Sequence, residues 1–272
     1  MTRKEASLLV YKEIKDLYEE SEAHLISRYF IDDLCSMHET IDADEDFFLK
    51  LSELSQGKPL QYVTHKAYFY GHEFYVDERV LIPRPETEEL VRAVLEYSKK
   101  EKITSIIDIG TGSGCIPITL KLQNPELEVT GIDVSAIAIE VASLNAKFRT
   151  ADVSFFQFDI LDSLNRKQLK DFDLVVSNPP YIGLEEANTL PGHVFNYEPH
   201  LALFSPGDPL LFYREIVLWA KEQNDRTALF MEINEQYGEE VREILLTNGY
   251  SGVEIIKDLQ CKDRIISGVF QH

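Results

Sequence analysis

From residue 103 onward, short β-forming runs alternate with helical patterns, and this alternation limits the possible folds more than any other feature of the chain. The runs are Ile103–Ile109, Val129–Val134, Val153–Phe158, Phe172–Ser177, Thr227–Ile233, Gly252–Lys257 and Arg264–Phe270, with helical spacing of apolar residues between the first six. Strands separated by helices tend to run in the same direction, so a mostly parallel sheet covered on both faces is expected. Only a short segment joins the last two runs, which suits an antiparallel pair. The expected core is a doubly wound α/β sheet of seven strands, with the last strand antiparallel.

The residues before this sheet read differently. Leu8, Leu9, Tyr11, Ile14, Leu17 and Tyr18 recur at helical spacing, as do Leu25, Ile26, Tyr29, Phe30, Leu34 and Met37, with Ser21 as the expected N-cap of the second helix. A third helix carries Phe47, Phe48, Leu51 and Leu54 and stops at Gly57 and Pro59. A small helical domain over residues 1–57 follows, serving packing or recognition. Residues 58–82 are read as a β-hairpin linker. Leu60-Gln61-Tyr62-Val63 and Ala67-Tyr68-Phe69-Tyr70 form its first part, and Gly71-His72 separates them from Phe74-Tyr75-Val76. Leu81-Ile82-Pro83-Arg84-Pro85-Glu86-Thr87-Glu88 then leads into an amphipathic helix bearing Leu90, Val91, Val94 and Leu95. Pro85 suits its first turn, where a missing N–H costs nothing. Residues 83–272 are read as one further domain, built on the seven-stranded sheet.

Composition removes several classes of function. No apolar run approaches the 18 residues of a membrane span. Met1-Thr2-Arg3-Lys4-Glu5 leads into an amphipathic pattern rather than an apolar signal core, so secretion is not expected. The three cysteines (Cys35, Cys115, Cys261) are odd in number and far apart, which suits a reducing cytoplasm. Neither they nor the seven scattered histidines have metal-ligand spacing. A net charge of -20 opposes non-specific nucleic-acid binding and fits a protein substrate with basic patches better.

Ser105-Ile106-Ile107 runs into Asp108-Ile109-Gly110-Thr111-Gly112-Ser113-Gly114. Glycines at a strand-to-helix turn let a ligand approach the backbone closely. A dinucleotide fold expects G-x-G-x-x-G. Here the third glycine follows after one residue, and with Asp108 ahead of it the loop resembles the first motif of class I S-adenosylmethionine methyltransferases. Asp133 closes the second strand, 19 positions beyond Gly114. A carboxylate there can accept from both ribose hydroxyls or cap the following helix, although Ser135 fills the capping role better. Asp159, closing the third strand, can bond an adenine amino group or cap a turn, and Ile160 can pack on the ring.

The fourth strand ends in Asn178-Pro179-Pro180-Tyr181. Two successive prolines make a stiff, extended segment without backbone donors, leaving carbonyls and the Asn178 side-chain oxygen as a rigid set of acceptors. An –NH2 group has two hydrogens to place on such acceptors. Asn178 Oδ1 and the Pro179 carbonyl can take one each, aiming the nitrogen lone pair at a sulfonium methyl, with Tyr181 stacked on the planar group. The alternative is a plain proline-rich turn.

Leu81–Glu88, Asp108–Gly114 and Val176-Ser177-Asn178-Pro179-Pro180-Tyr181-Ile182 occur here in order, followed by Tyr197-Glu198-Pro199 and Asp263-Arg264. In these the chain resembles the HemK/PrmC family of release factor glutamine methyltransferases, over nearly its whole length. The resemblance implies a Rossmann-like class I methyltransferase domain behind an N-terminal substrate-recognition domain. It further implies N5-methylation of the glutamine in the Gly-Gly-Gln motif of class 1 peptide chain release factors. S-adenosyl-L-methionine is the implied cofactor and S-adenosyl-L-homocysteine the product. Gly110, Thr111, Gly112, Ser113, Gly114, Asp133 and Asn178 are the implied cofactor contacts, and Asn178, Pro179, Pro180 and Tyr181 would hold the glutamine. The chain departs from the family at Ile160, often aromatic, at Asn224-Asp225, commonly a glycine pair, and at Asn234, usually glycine.

Other residues keep two readings. Arg84 with Glu86 orders the roof of the site, contacts a release factor, or forms a structural ion pair. Residues 182–206, with few periodic signals, suit a lid or substrate-binding segment. Cys115 is a reactive thiol at a helix start or a small packing residue. The competing functions are methylation of exocyclic amines on DNA or RNA bases, methylation of a ribosomal-protein glutamine, and a non-catalytic cofactor-binding module. The glycine spacing and the Asn-Pro-Pro-Tyr segment both speak against a nicotinamide dehydrogenase.

Overall fold

The computed structural model describes residues 1–35, 40–162, 169 and 171–272. Its centre is a seven-stranded sheet built from β3 (Ser105–Ile109), β4 (Glu128–Asp133), β5 (Ser154–Gln157), β6 (Leu174–Ser177), β7 (Arg226–Glu232), β8 (Ser251–Lys257) and β9 (Asp263–Gln271). The strand order is β5-β4-β3-β6-β7-β9-β8, and β9 alone runs antiparallel, to both of its neighbours. The order reverses between β3 and β6, whose carboxyl ends therefore flank the crevice where open α/β sheets bind ligands.

Helices cover both faces. On one, α10 (Leu211–Ala220) and α11 (Gly238–Thr247) bury Trp219, Ile216, Val241 and Leu245 against Ile107, Val175, Leu229 and Ile266. On the other, α5 (Pro85–Glu101) and α6 (Cys115–Gln123) pack Leu90, Val94, Ile116 and Leu120 on Ile106, Val129, Val176 and Phe230. Strands buried on both sides must be apolar throughout, which is why β6 reads Leu-Val-Val-Ser without alternation. Of the helix expected between the third and fourth strands, residues 163–168 and 170 lie outside the described residues.

The first helices, α1 (Arg3–Ile14), α2 (Glu20–Leu34) and α3 (Glu45–Ser55), surround their own core of Val10, Ile14, Phe30, Phe47 and Leu54. Met37 lies outside the described residues. Ser21 is not the cap of α2: the helix begins two residues earlier, behind Glu19, and its first turn carries Glu20 and Glu22, which favour the positive helix end. Pro85 does occupy the first turn of α5, after Arg84.

Leu60–Val63 are helical rather than extended, within α4 (Leu60–Thr64). Tertiary packing overrides their β propensity. A helical turn points Val63 into the N-terminal core and Tyr62 into a second cluster with Val76, Val80 and Val141, where its hydroxyl donates to the Val80 carbonyl at 2.7 Å. The hairpin is shorter than expected: β1 (Ala67–Phe69) pairs with β2 (His72–Phe74) around Tyr70-Gly71, not Gly71-His72. Both turn residues have positive φ (52° and 75°), the geometry that matches the twist of a tight hairpin. Arg149 of α7 (Ala136–Arg149) holds this hairpin, donating through its Nε to the Glu73 carbonyl at 2.6 Å.

Candidate functional site

The glycine loop leaves β3 and turns across the end of β4, where the Gly110 and Thr111 N–H groups both donate to the Ile132 carbonyl at 2.9 Å. Gly110 and Gly112 have φ of +75° and +51°, in the left-handed region that side chains disfavour, and a Cβ at either would meet nothing within 4 Å. Bare backbone therefore faces open space. Asp133 braces the loop: its two oxygens accept from the Gly112 and Ser135 N–H groups, each at 2.9 Å. Burial raises the Asp133 pKa, and these two donors oppose the shift. The cap of α7 is Ser135, whose hydroxyl accepts from the Ala138 N–H at 3.2 Å. Behind the loop, buried Asn145 donates to the carbonyls of Ser113 and Tyr75 at 2.9 Å, tying loop to hairpin. Sequence reasoning missed Asn145, since an asparagine inside a helix carries no local signal of such reach.

Asp108 lies under this loop with no exposed surface, and neither carboxylate oxygen meets a donor in good hydrogen-bond geometry among the described residues. Burial pushes its pKa up to about 7, and the Thr111 hydroxyl opposes that rise only in part. A buried carboxylate without a well-placed protein partner is costly, and it fits a site completed by a donor or cationic group from a ligand. Thr111 Oγ1 is likewise buried without a well-placed partner. The other predicted cofactor residues are less open. Ile160 is packed in the core beside Ile109, Ile132 and Phe158, and Asp159 Oδ1 caps a turn by accepting from the Leu161 N–H at 2.8 Å. Cys115 is a packing residue: burial holds its thiol at about 12.

Beyond β6, Asn178 to Ile182 line a pocket of about 380 Å³. Leu81, Arg84 and Glu86 contribute from the segment entering α5, and Glu232 and Arg264 from β7 and β9. Leu190, Val194, Ala202 and Leu203 come from residues 182–206, which fold into a 3-10 turn (Leu184–Thr189) and two short helices, α8 (Gly192–Tyr197) and α9 (His200–Leu203). This segment closes at its base, where Ile182 pairs with Leu203 and Ser205 through backbone bonds of 3.2 and 2.9 Å. Arg84 does not pair with Glu86. It meets Glu198 at 2.6 Å, and the Glu198 side chain is only 1% exposed, so the ion pair latches the α5 entry to the 182–206 segment. Tyr181 is half-buried in the pocket, and burial raises its pKa. The structure thus brings Asn178, Pro179, Pro180 and Tyr181 together with the Leu81–Glu88 motif, and sets the glycine loop and Asp133 at the neighbouring strand ends.

The described residues contain no group of three or more His, Cys, Asp or Glu placed to hold a metal ion, and no helix long and apolar enough to cross a membrane. Known proteins supply the remaining comparison. The Methyltransferase small domain family matches residues 88–207. The release factor glutamine methyltransferase of Flavobacterium psychrophilum is 41% identical over 226 residues, 81% of this chain and 79% of that protein. That of Bacillus subtilis is 41% identical over 86% of this chain and 83% of its own length. The chain belongs to the release factor glutamine methyltransferase family.

The likeness of fold reaches further than the family. The hMettl16 catalytic domain, solved in complex with an RNA hairpin, is 15% identical and superposes with a TM-score of 0.56, covering 87% of this chain and 85% of that one. This likeness is one of fold alone, and the seven-stranded sheet with its antiparallel β9 has the class I methyltransferase architecture.

Proposed function

We propose that this chain transfers a methyl group from S-adenosyl-L-methionine to the N5 amide nitrogen of the glutamine in the Gly-Gly-Gln motif of class 1 peptide chain release factors. The observation that carries the proposal is the adjacency, at one sheet switch point, of the open glycine loop and the acceptor-rich Asn178–Tyr181 pocket. Within it, residues 1–57 recognise the substrate, 58–82 link, and 83–272 catalyse in the cytoplasm.

The residues present fit the cofactor. Gly110 to Gly114 would hold it along bare backbone, Asp133 would accept from its ribose, and the orphaned Asp108 carboxylate would receive a cationic or donor group. Asp159, Ile160 and Asn178 complete the proposed contacts. When bound, the cofactor supplies an electrophilic methyl group. The protein's part is orientation and electrostatic support. Asn178 Oδ1 and the Pro179 carbonyl accept the two amide hydrogens of the glutamine, while Pro180 and Tyr181 confine its plane. An amide nitrogen is a poor nucleophile because its lone pair is delocalised, and fixing both hydrogens favours a more tetrahedral nitrogen with a localised pair. The surplus proton leaves a strongly acidic N-methylated amide, so no dedicated base is needed.

Methyl transfer from labelled S-adenosylmethionine tests this, with purified release factors, DNA, rRNA and ribosomal proteins compared side by side. Label is expected on the Gly-Gly-Gln glutamine and is lost when that glutamine becomes alanine. Label on nucleic acid alone sinks the proposal. Asn178→Ala should cut turnover by about 100-fold or more, and near-normal turnover would remove Asn178 from the chemistry.

A further inference from the structure

Asn178 can accept a hydrogen from the substrate amide only if its oxygen, rather than its nitrogen, faces the pocket. The two ends of a carboxamide have nearly the same size and shape, so packing alone does not choose between them. A hydrogen-bond partner does. Asn178 Nδ2 donates to Thr87 Oγ1 at 3.1 Å, and Thr87 Oγ1 donates in turn to Glu232 Oε2 at 2.7 Å. A threonine hydroxyl carries one hydrogen. Given to Glu232, it leaves only lone pairs toward Asn178, and lone pairs can hold an N–H but not another oxygen. The ionised Glu232 carboxylate only accepts, so it sets the direction of the whole chain of bonds.

Three separate elements meet here. Thr87 stands in the first turn of α5, Asn178 follows β6, and Glu232 ends β7. Strands β6 and β7 are neighbours, with Ser177 opposite Met231, so Asn178 and Glu232 stand one register step further along. Thr87 and Glu232 are 3% and 2% exposed, which keeps water from competing for either bond. The geometry points to Thr87 and Glu232 as positioning residues that hold the Asn178 amide with its oxygen toward the substrate nitrogen. This role rests on the reading of Asn178 as an acceptor for the glutamine –NH2. It also bears on specificity: an acceptor fixed in place selects a donor-bearing amide over a carboxylate, which has no hydrogen to offer.

Thr87→Val removes the hydroxyl and keeps the shape. With Asn178 free to turn over, kcat is expected to fall about 10- to 100-fold, well beyond any loss of S-adenosylmethionine affinity, since Asn178 is only one of several proposed cofactor contacts. Thr87→Ser keeps the relay and should stay within about threefold of the unsubstituted protein. Combined with Asn178→Ala, Thr87→Val should cost almost nothing more, because it acts through Asn178. A Thr87→Val protein with full turnover beside an inactive Asn178→Ala protein overturns the relay and leaves the glutamine reading intact, as does full additivity in the double variant. An active Asn178→Ala protein overturns both. Should Thr87→Val not fold, the unsubstituted protein still decides: a side-chain amide proton of Asn178 should show a nuclear Overhauser contact to Thr87 and slow exchange with solvent. A rapidly exchanging amide without that contact overturns the relay.

Discussion

Two buried carboxylates, Asp108 in β3 and Glu232 at the end of β7, occupy the two halves of the site, and burial holds each at a pKa of about 7. They differ in their partners. Asp108 has none in good hydrogen-bond geometry among the described residues, whereas Glu232 receives the Thr87 hydroxyl at 2.7 Å. The unpartnered carboxylate lies where the backbone is bare and glycine-rich; the partnered one lies where side chains crowd a pocket. The difference separates two uses of a costly buried charge. Asp108 is compensated only weakly by the protein, through the Thr111 hydroxyl, and leaves room for a ligand to do the rest. Glu232 is compensated by the protein and uses its charge to orient Thr87 and, through it, Asn178. Desolvation disfavours the ionised form of both, so each weakens the folded chain when charged, a cost that proteins commonly carry at functional sites.

The comparison breaks most directly at Asp108. Its pKa rises from 3.8 to about 7 on folding, so the folded state holds the proton more tightly than the unfolded chain. The resulting penalty is absent below about pH 4, grows between about pH 4 and 7, and is complete above that range. Asp108→Asn should therefore raise the unfolding free energy of the cofactor-free protein at pH 8 by on the order of 2 kcal/mol, after allowing for an unpaired amide. Denaturant titrations should show the gain shrinking at pH 5, and calorimetry should show weaker binding of S-adenosylmethionine. A gain independent of pH would mean that the carboxylate is not charged where it lies. Glu232→Gln should give a smaller gain at pH 8, about 1 kcal/mol, because the new amide brings donors that the Glu232 site does not pair. If the two variants gain equally, the Thr87 bond does not distinguish them.

Much of the sheet was legible because its strands are buried on both faces and read as uninterrupted apolar runs, as in Leu174-Val175-Val176. The glycine loop and the Asn178–Tyr181 segment were legible because each encodes its chemistry in consecutive residues. What escaped depends on distant residues meeting. Tyr62 and Val63 have strand-forming side chains, yet a helical turn serves two cores at once. Arg84 finds Glu198, more than a hundred positions away, instead of its neighbour Glu86. Thr87, Asn178 and Glu232 come from three elements, and nothing in the local sequence of any one of them names the other two. Asp108 stood out as part of a motif, but its lack of a well-placed partner emerges only from the packed structure.

The finest form of the comparison is a titration. Burial raises the Glu232 pKa, and the Thr87 hydrogen bond opposes that rise, since it stabilises the ionised form. Arg264 from β9 and Arg84 from the entry to α5 also pull it down, while Glu86 in α5 pushes it up. Carbon-13 labelling of the aspartate and glutamate carboxyls should resolve Glu232 as a buried group with a midpoint near 7 in the cofactor-free protein. In Thr87→Val that midpoint should move upward, because the opposing bond is gone and the other charges are unchanged. Asp108, on which Thr87 does not act, should titrate identically in both proteins. A Glu232 midpoint that stays fixed would mean that the hydroxyl does not donate to the carboxylate, and the orientation of Asn178 would then need another cause. A protonated Glu232 can itself donate to Thr87, freeing the hydroxyl hydrogen for the Asn178 oxygen. Turnover should therefore fall as the pH drops through that midpoint, and Thr87→Ser, which keeps the hydroxyl, should keep the same profile.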